Sequence, residues 1–225
     1  MPDRSSIFDM IGPIMIGPSS SHTAGVVRIG KVSRFIHGPQ PTKATIHFYN
    51  SFARTFEGHG SDRAVAAGLL GFETDDLRIK ESLILAKQMG MEIVFRSIPN
   101  ANAYHPNSVR IEMETEDKKT VVLGISRGGG LISIVEINGF KCNFSAQQHT
   151  LIIDATDMKG SIAFISTLVA QDECNIATMT VTRDSKHRNA KMVLEMDSAI
   201  RPLSLQYMKS LPWVQNIIFI PDVHL

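Results

Sequence analysis

In the last third of this chain apolar and polar residues alternate, and two helix-spaced stretches interrupt the alternation. Residues 151–154 form a short apolar run. In 160–171, Ile162, Ile165, Leu168 and Val169 recur on one helical face. Residues 175–183 set Ala177, Met179 and Val181 against Thr178, Thr180 and Thr182. Residues 190–197 set Met192, Leu194 and Met196 against Lys191, Glu195 and Asp197. A period of two predicts strands with one buried face. Helical spacing returns at Leu203, Tyr207, Met208 and Leu211, closed by Pro212, and 214–220 reads as a last strand. The order strand-helix-strand-strand-helix-strand predicts a ferredoxin-like βαββαβ unit with both helices on one sheet face.

The earlier part is less regular. A helix is expected over 23–37, capped by Ser20 or Ser21, with Val26, Ile29 or Gly30, and 32–35 inward. Residues 44–49 alternate as a strand, 62–70 form a short Ala-rich helix, and Thr74 caps a longer helix that ends at Gly90. Strands follow at 91–96, 108–113, 120–126 and 131–137, the last turning at Asn138-Gly139, a hairpin dipeptide. A polar stretch at 145–150 separates the two kinds of pattern. The chain therefore reads as α+β, with a mixed α/β domain over 1–147 and the βαββαβ domain over 148–225.

Composition narrows the function. The 225 residues are 43% hydrophobic and 20% charged, ordinary for a globular protein, and the formal net charge is +1. Nothing here favours nucleic acid or an anionic membrane as a partner. No apolar run is long enough to span a bilayer, and residues 1–6 lack the order of a secretion signal, so the cytoplasm is expected. Cys142 and Cys174 are far apart and form no CxxC pair. Two thiols cannot hold an iron–sulfur cluster or a structural zinc, so no metal is expected on this chain.

Four segments carry reactive residue types outside regular structure. In Gly17-Pro18-Ser19-Ser20-Ser21-His22-Thr23, hydroxyls and an imidazole crowd a helix start, where unpaired N–H groups receive anions. In Gly58-His59-Gly60-Ser61-Asp62 a histidine stands between two glycines ahead of a helix, with Ser61 or Asp62 expected as its cap. His105-Pro106-Asn107 sets an imidazole beside an amide, and Ser126-Arg127-Gly128-Gly129-Gly130 exposes backbone donors. A proton carrier beside an anion pocket suits chemistry on a small acid. Each segment also has a plain reading as a cap, a turn or a bulge. A site using His22, His59 and His105 as metal ligands is a third possibility, without the spacing that usually marks one.

Together these segments resemble the β chain of the iron–sulfur-dependent, two-subunit bacterial L-serine dehydratases (L-serine ammonia-lyases). The likeness runs from residues 6–13 through Gly17–Gly25, Ser51-Phe52-Ala53, Gly58–Asp62 and His105–Asn107 to Ser126 with the three glycines. The family's fold implies a first domain similar to the allosteric substrate-binding domain of certain phosphoglycerate dehydrogenases, and an ACT domain for the βαββαβ unit. Three departures stand out: Ser61 where threonine is usual, Asn50 where glycine is usual, and Arg127 where an apolar residue is usual.

The resemblance implies deamination of L-serine to pyruvate and ammonia, at a site shared with an α chain that carries a [4Fe-4S] cluster. It implies His59 as base, with His22 second, and Ser19, Ser20, Ser21, Thr23, His105 and Asn107 as substrate-binding residues. Asp157, Gly160, Asn175 and Ile176 lie where ACT domains usually hold amino acids, which suggests L-serine as a regulatory ligand and pairing of two β chains. The contrasting expectation is a non-enzymatic amino-acid sensor made of the same two domains, which would need no exposed base.

Overall fold

The computed structural model describes residues 13–102, 104–185 and 188–223. Residues 6–12 of the resemblance lie outside the described residues. The chain divides into two compact units, 1–138 and 139–225.

In the first unit a π-helical turn, Ser20–Ala24, runs directly into α1 (Gly25–His37). The cap is Ser19 rather than Ser20 or Ser21. Ser19 has the extended backbone (φ −147°, ψ 127°) that lets its Oγ accept from the His22 N–H. Strand β1 (Lys43–Tyr49) leads into a short helix, α2 (Asn50–Thr55), which the pattern did not suggest. Helix α3 (Ser61–Leu69) follows, its N-cap the left-handed Gly60 (φ 68°) rather than Ser61 or Asp62. The longer helix expected from Thr74 starts instead at a 3₁₀ turn, Leu77–Glu81, which passes into α4 (Ser82–Gln88). Asp76 caps it because its carboxylate accepts from the Arg78 N–H, while the Thr74 hydroxyl donates to the Ile14 carbonyl.

Strands β2 (Glu92–Ile98), β3 (Ser108–Glu114), β4 (Lys119–Gly128) and β5 (Leu131–Ile137) complete this unit. They lie in the order β2-β1-β3-β4-β5, with β1 and β2 parallel and the other neighbours antiparallel. Helix α1 lies over β4, where Gly124 makes room for Ile29. On its other side α1 meets α3 at a crossing of Gly30 and Gly68. A Cβ at Gly68 would stand 2.1 Å from the Val27 carbonyl, so only glycine lets the two backbones meet. Phe48, Phe52, Ile29, Ile46, Ile111 and Met113 are fully buried in this unit.

The second unit opens with β6 (Phe140–Phe144) and then gives β7 (His149–Thr156), α5 (Ser161–Gln171), β8 (Ile176–Arg183), β9 (Asn189–Met196), α6 (Pro202–Ser210) and β10 (Val214–Ile220). The four strands lie in the antiparallel order β10-β7-β9-β8. This is the ferredoxin-like arrangement expected. Leu151, Ile153, Met192, Leu194 and Met196 face Ile165, Val169 and Met208 of the helices.

The division falls ahead of the polar stretch at 145–150, because that stretch is tied to the second unit. One oxygen of Glu195 accepts from the Ser145 N–H (2.8 Å), the Ser145 hydroxyl (2.7 Å) and the Ala146 N–H (3.1 Å). Lys191 pairs with Asp154 and stands over the Phe140 ring. Lys191 and Glu195 occupy the face the alternation gave them, yet both are buried, since 140–146 covers that face.

Candidate active site

The serine–histidine turn is folded around His22. Its Nδ1 lies 3.1 Å from the Ser21 hydroxyl and 3.4 Å from that of Ser19, and the two hydroxyls are 3.2 Å apart. Its Nε2 is buried without a partner. The ring stands steeply inclined to that of Phe52 of α2, with 4.8 Å between their centres, and tilted against that of His59, also with 4.8 Å between centres. Burial, and then the neighbouring His59, hold the His22 pKa below its usual value. His22 is therefore neutral at pH 7.

His59 is positioned by its own backbone and by the serine–histidine turn. Its N–H donates to the Thr55 carbonyl (3.0 Å) and its Nδ1 contacts the same oxygen (3.2 Å). A carbonyl only accepts, so the neutral ring carries its proton on Nδ1 and keeps the lone pair on Nε2. Thr23 donates its hydroxyl to the His59 carbonyl (3.3 Å), and Ser61 donates its own to the His22 carbonyl (2.8 Å). The two motifs are thus cross-linked in both directions. Ser61 keeps the hydroxyl of the usual threonine and uses it for this link.

His59 lines a cleft of about 330 Å³ with Gly17, Pro18, Thr23, Glu57, Arg63, Ile79 and Lys80 among its other walls. That volume accommodates a small amino acid with water to spare. Arg63 and Lys80 give the cleft two cations against the single acid, Glu57.

The other two motifs are attached behind this pair. The Pro106 carbonyl accepts from the Ser51 N–H (2.9 Å), which docks the His105–Asn107 turn on the start of α2. The Asn107 N–H donates to His105 Nδ1 (3.1 Å), so neutral His105 carries its proton on Nε2, the opposite tautomer to His59. Burial, and then Arg127, hold its pKa down. The Asn107 carbonyl accepts from Ser126 (3.0 Å). The Ser126 hydroxyl is buried against Gly25, where a Cβ would lie 2.3 Å from its Oγ. Arg28 of α1 donates to the Gly130 carbonyl (2.8 Å) and holds the glycine-rich turn in place. Arg127 is exposed and donates from Nε to Ser133 (2.8 Å).

The four motifs therefore converge through α2 and the start of α1, with His22 and His59 in contact and His105 joined to them through the turn on α2. Asn50 explains its own departure: its φ is 51°, a left-handed value that glycine adopts freely. Its amide supplies compensating bonds, from Nδ2 to the Ala101 and Tyr104 carbonyls and from the Ala101 N–H to Oδ1. Sequence reasoning missed Phe52 as the support for His22, and Arg63 and Lys80 as cleft walls. The Thr55 carbonyl, one helical turn before His59, could have been foreseen from spacing. For Arg63 and Lys80 no pattern gave a signal.

The regulatory residues are not gathered in one copy. Asp157 and Gly160 follow the end of β7, which pairs with the start of β9; Asn175 and Ile176 open β8 opposite the end of β9. The two pairs thus lie at opposite ends of the sheet. Asp157 forms an ion pair with Arg183, and the Asn175 amide donates to Asp197. Cys142 and Cys174 are buried thiols. Among the described residues no group of three or more His, Cys, Asp or Glu is gathered to hold a metal ion, and no helix is long and apolar enough to cross a membrane.

Serine hydroxyls, two imidazoles in contact and a cleft with two cations are thus gathered at one place in the first unit. Residues 6–136 match the serine dehydratase beta chain family, and the chain belongs to it. It is 40% identical to the probable L-serine dehydratase beta chain of Bacillus subtilis over 96% of this chain and 98% of that one. It is 38% identical to the L-serine dehydratase beta chain of Peptoniphilus asaccharolyticus over 87% of this chain and 88% of that one. The ACT domain of a GTP pyrophosphokinase from Chlorobium tepidum is similar to 32% of this chain and covers 95% of its own, at 14% identity and a TM-score of 0.26.

Proposed function

We propose that this chain is one half of an L-serine dehydratase that converts L-serine to pyruvate and ammonia, the other half being an α chain with a [4Fe-4S] cluster. The observation that carries the reading is the fixed tautomer of His59, whose Nε2 lone pair belongs to a ring lining the cleft. The donor set of this chain suits the substrate side of such a site: hydroxyls and imidazoles are present, while its two thiols are buried. Lewis-acid help to the departing hydroxyl is the chemistry a cluster on the partner supplies.

Ser19, Ser20 and Ser21 receive the substrate carboxylate at the helix start, where the backbone N–H groups add to the hydroxyls. His59 Nε2 takes the proton from Cα. The electron pair left on Cα forms the Cα–Cβ double bond as the Cβ–O bond breaks and hydroxide leaves. The aminoacrylate so formed takes a proton at Cβ, becomes an imine, and is hydrolysed by water to pyruvate and ammonia. Neutral His22 backs the base without placing a second positive charge beside it. Thr23 acts through the His59 carbonyl that it holds. His105, with its proton on Nε2, and Asn107 orient the substrate.

The second unit serves regulation in this proposal, as an ACT domain that binds L-serine. An amino acid that touches both Asp157–Gly160 and Asn175–Ile176 bridges two copies of the chain, which fits pairing of β chains. Reconstitution tests the whole reading. Purified with its α chain under anaerobic conditions, the protein should release pyruvate and ammonium from serine in equal amounts. The separate chain, free of iron, should release neither.

A further inference from the structure

The first unit carries a stripe of exposed apolar side chains that its own fold leaves unused. Leu77 and Ile84 are 70% and 62% exposed, on the 3₁₀ turn and α4 respectively. Single exposed apolar residues are ordinary. These two recur about two helical turns apart, with Lys80 between them at i+3 from one and i−4 from the other. Met89, at the end of α4, is 57% exposed.

Three observations connect this stripe with the site. Ile79 and Lys80, from the same turn, line the cleft that holds His59. Ile79 is buried, and the Ser82 hydroxyl donates to the Arg63 carbonyl (2.7 Å), so the segment is fixed to the first turn of α3, just after His59-Gly60-Ser61. Arg63 and Lys80 are exposed at the cleft without an ion-pair partner among the described residues. A body gripping Leu77 and Ile84 would therefore be held in register with the candidate base, and would meet positive charge at the cleft.

We infer that the stripe Leu77–Lys80–Ile84 is where the iron–sulfur-bearing α chain docks, presenting an apolar face to Leu77 and Ile84 and an acidic group to Lys80 and Arg63. The inference rests on the shared-site reading above and adds the surface through which the site is completed. Apolar contact supplies affinity here, while the cations set orientation and the rate of encounter. The exposed Ile162, Leu203 and Tyr207 belong to the second unit, for which regulation is proposed, and serve as the control.

The test is titration of the full chain with its purified, cluster-loaded α chain, following association by sedimentation and turnover by pyruvate release. Leu77→Glu combined with Ile84→Glu should raise the apparent Kd at least 100-fold. Turnover at saturating α chain should stay within threefold of the unaltered protein, and the circular dichroism should not change. Leu203→Glu should leave the Kd as it was. Should the double variant fail to fold, Leu77→Ser and Ile84→Ser separately should each raise the Kd at least fivefold. If the unaltered chain binds the α chain and the folded variants bind it equally well, the docking surface is overturned and the shared site stands. If the unaltered chain, free of iron, converts serine with no α chain, both fall.

Discussion

In the first unit α1 and α3 meet through Gly30 and Gly68, where no side chain separates the backbones; in the second, α5 and α6 stand off their sheet on Ile165, Val169 and Met208. The glycine contact has one geometry, set by backbone atoms. The side-chain contact has many near-equivalent solutions, because apolar groups of similar volume can repack. The difference follows the chemistry. Helices α1 and α3 begin at the serine–histidine turn and at His59-Gly60-Ser61, so their spacing sets the spacing of the two imidazoles. A tolerant interface there would let the site drift, and small displacements of catalytic groups are costly.

One carbon atom added in the first unit and one removed from the second should show this most sharply. Gly68→Ala places a methyl group 2.1 Å from the Val27 carbonyl and 2.8 Å from the Lys31 nitrogen. It should cost about 3 kcal/mol or more in urea unfolding, with turnover falling because the imidazoles separate. If Gly68→Ala keeps both stability and activity, the contrast drawn here is wrong.

Acid should sharpen the comparison next. His37, at the end of α1, is fully buried and hydrogen-bonds Thr120 at 2.9 Å. Burial first, then the charges of Lys118 and Arg34, pull its pKa down to about 4. The unfolded chain takes up this proton near pH 6.5 while the folded one resists until about 4. The stabilisation is therefore complete above pH 6.5 and is lost as pH falls towards 4. It amounts to roughly 3 kcal/mol. Hydrogen exchange should show α1 opening across that window, and His37→Gln should flatten the dependence. The smallest effect belongs to the second unit. Ile165→Val removes one methylene from its core and should cost about 1 kcal/mol, with turnover unchanged.

The second unit was the more legible in sequence because its strands alternate and its helices keep one face, both consequences of burying a single side. Pattern alone placed Lys191 and Glu195 on the correct face but not in the interior, since only the tertiary position of 140–146 buries them. In the first unit α2 and the late start of α4 escaped notice. The left-handed Asn50 and the Asp76 cap are local devices that leave no periodic trace. The candidate site was legible as a set of residue types. What each does was not: the tautomers of His59 and His105 depend on the Thr55 carbonyl and the Asn107 N–H, and the Ser61 hydroxyl, expected as a helix cap, links the two motifs instead.

The central claim is that His59 Nε2 removes the α-proton of serine in a site that this chain only half provides. It is tested most directly by His59→Ala in the anaerobic complex with the α chain, with pyruvate release measured at saturating serine. The account predicts unchanged assembly and cluster content with a fall in kcat of about 1,000-fold or more. Activity within tenfold of the unaltered complex would contradict it.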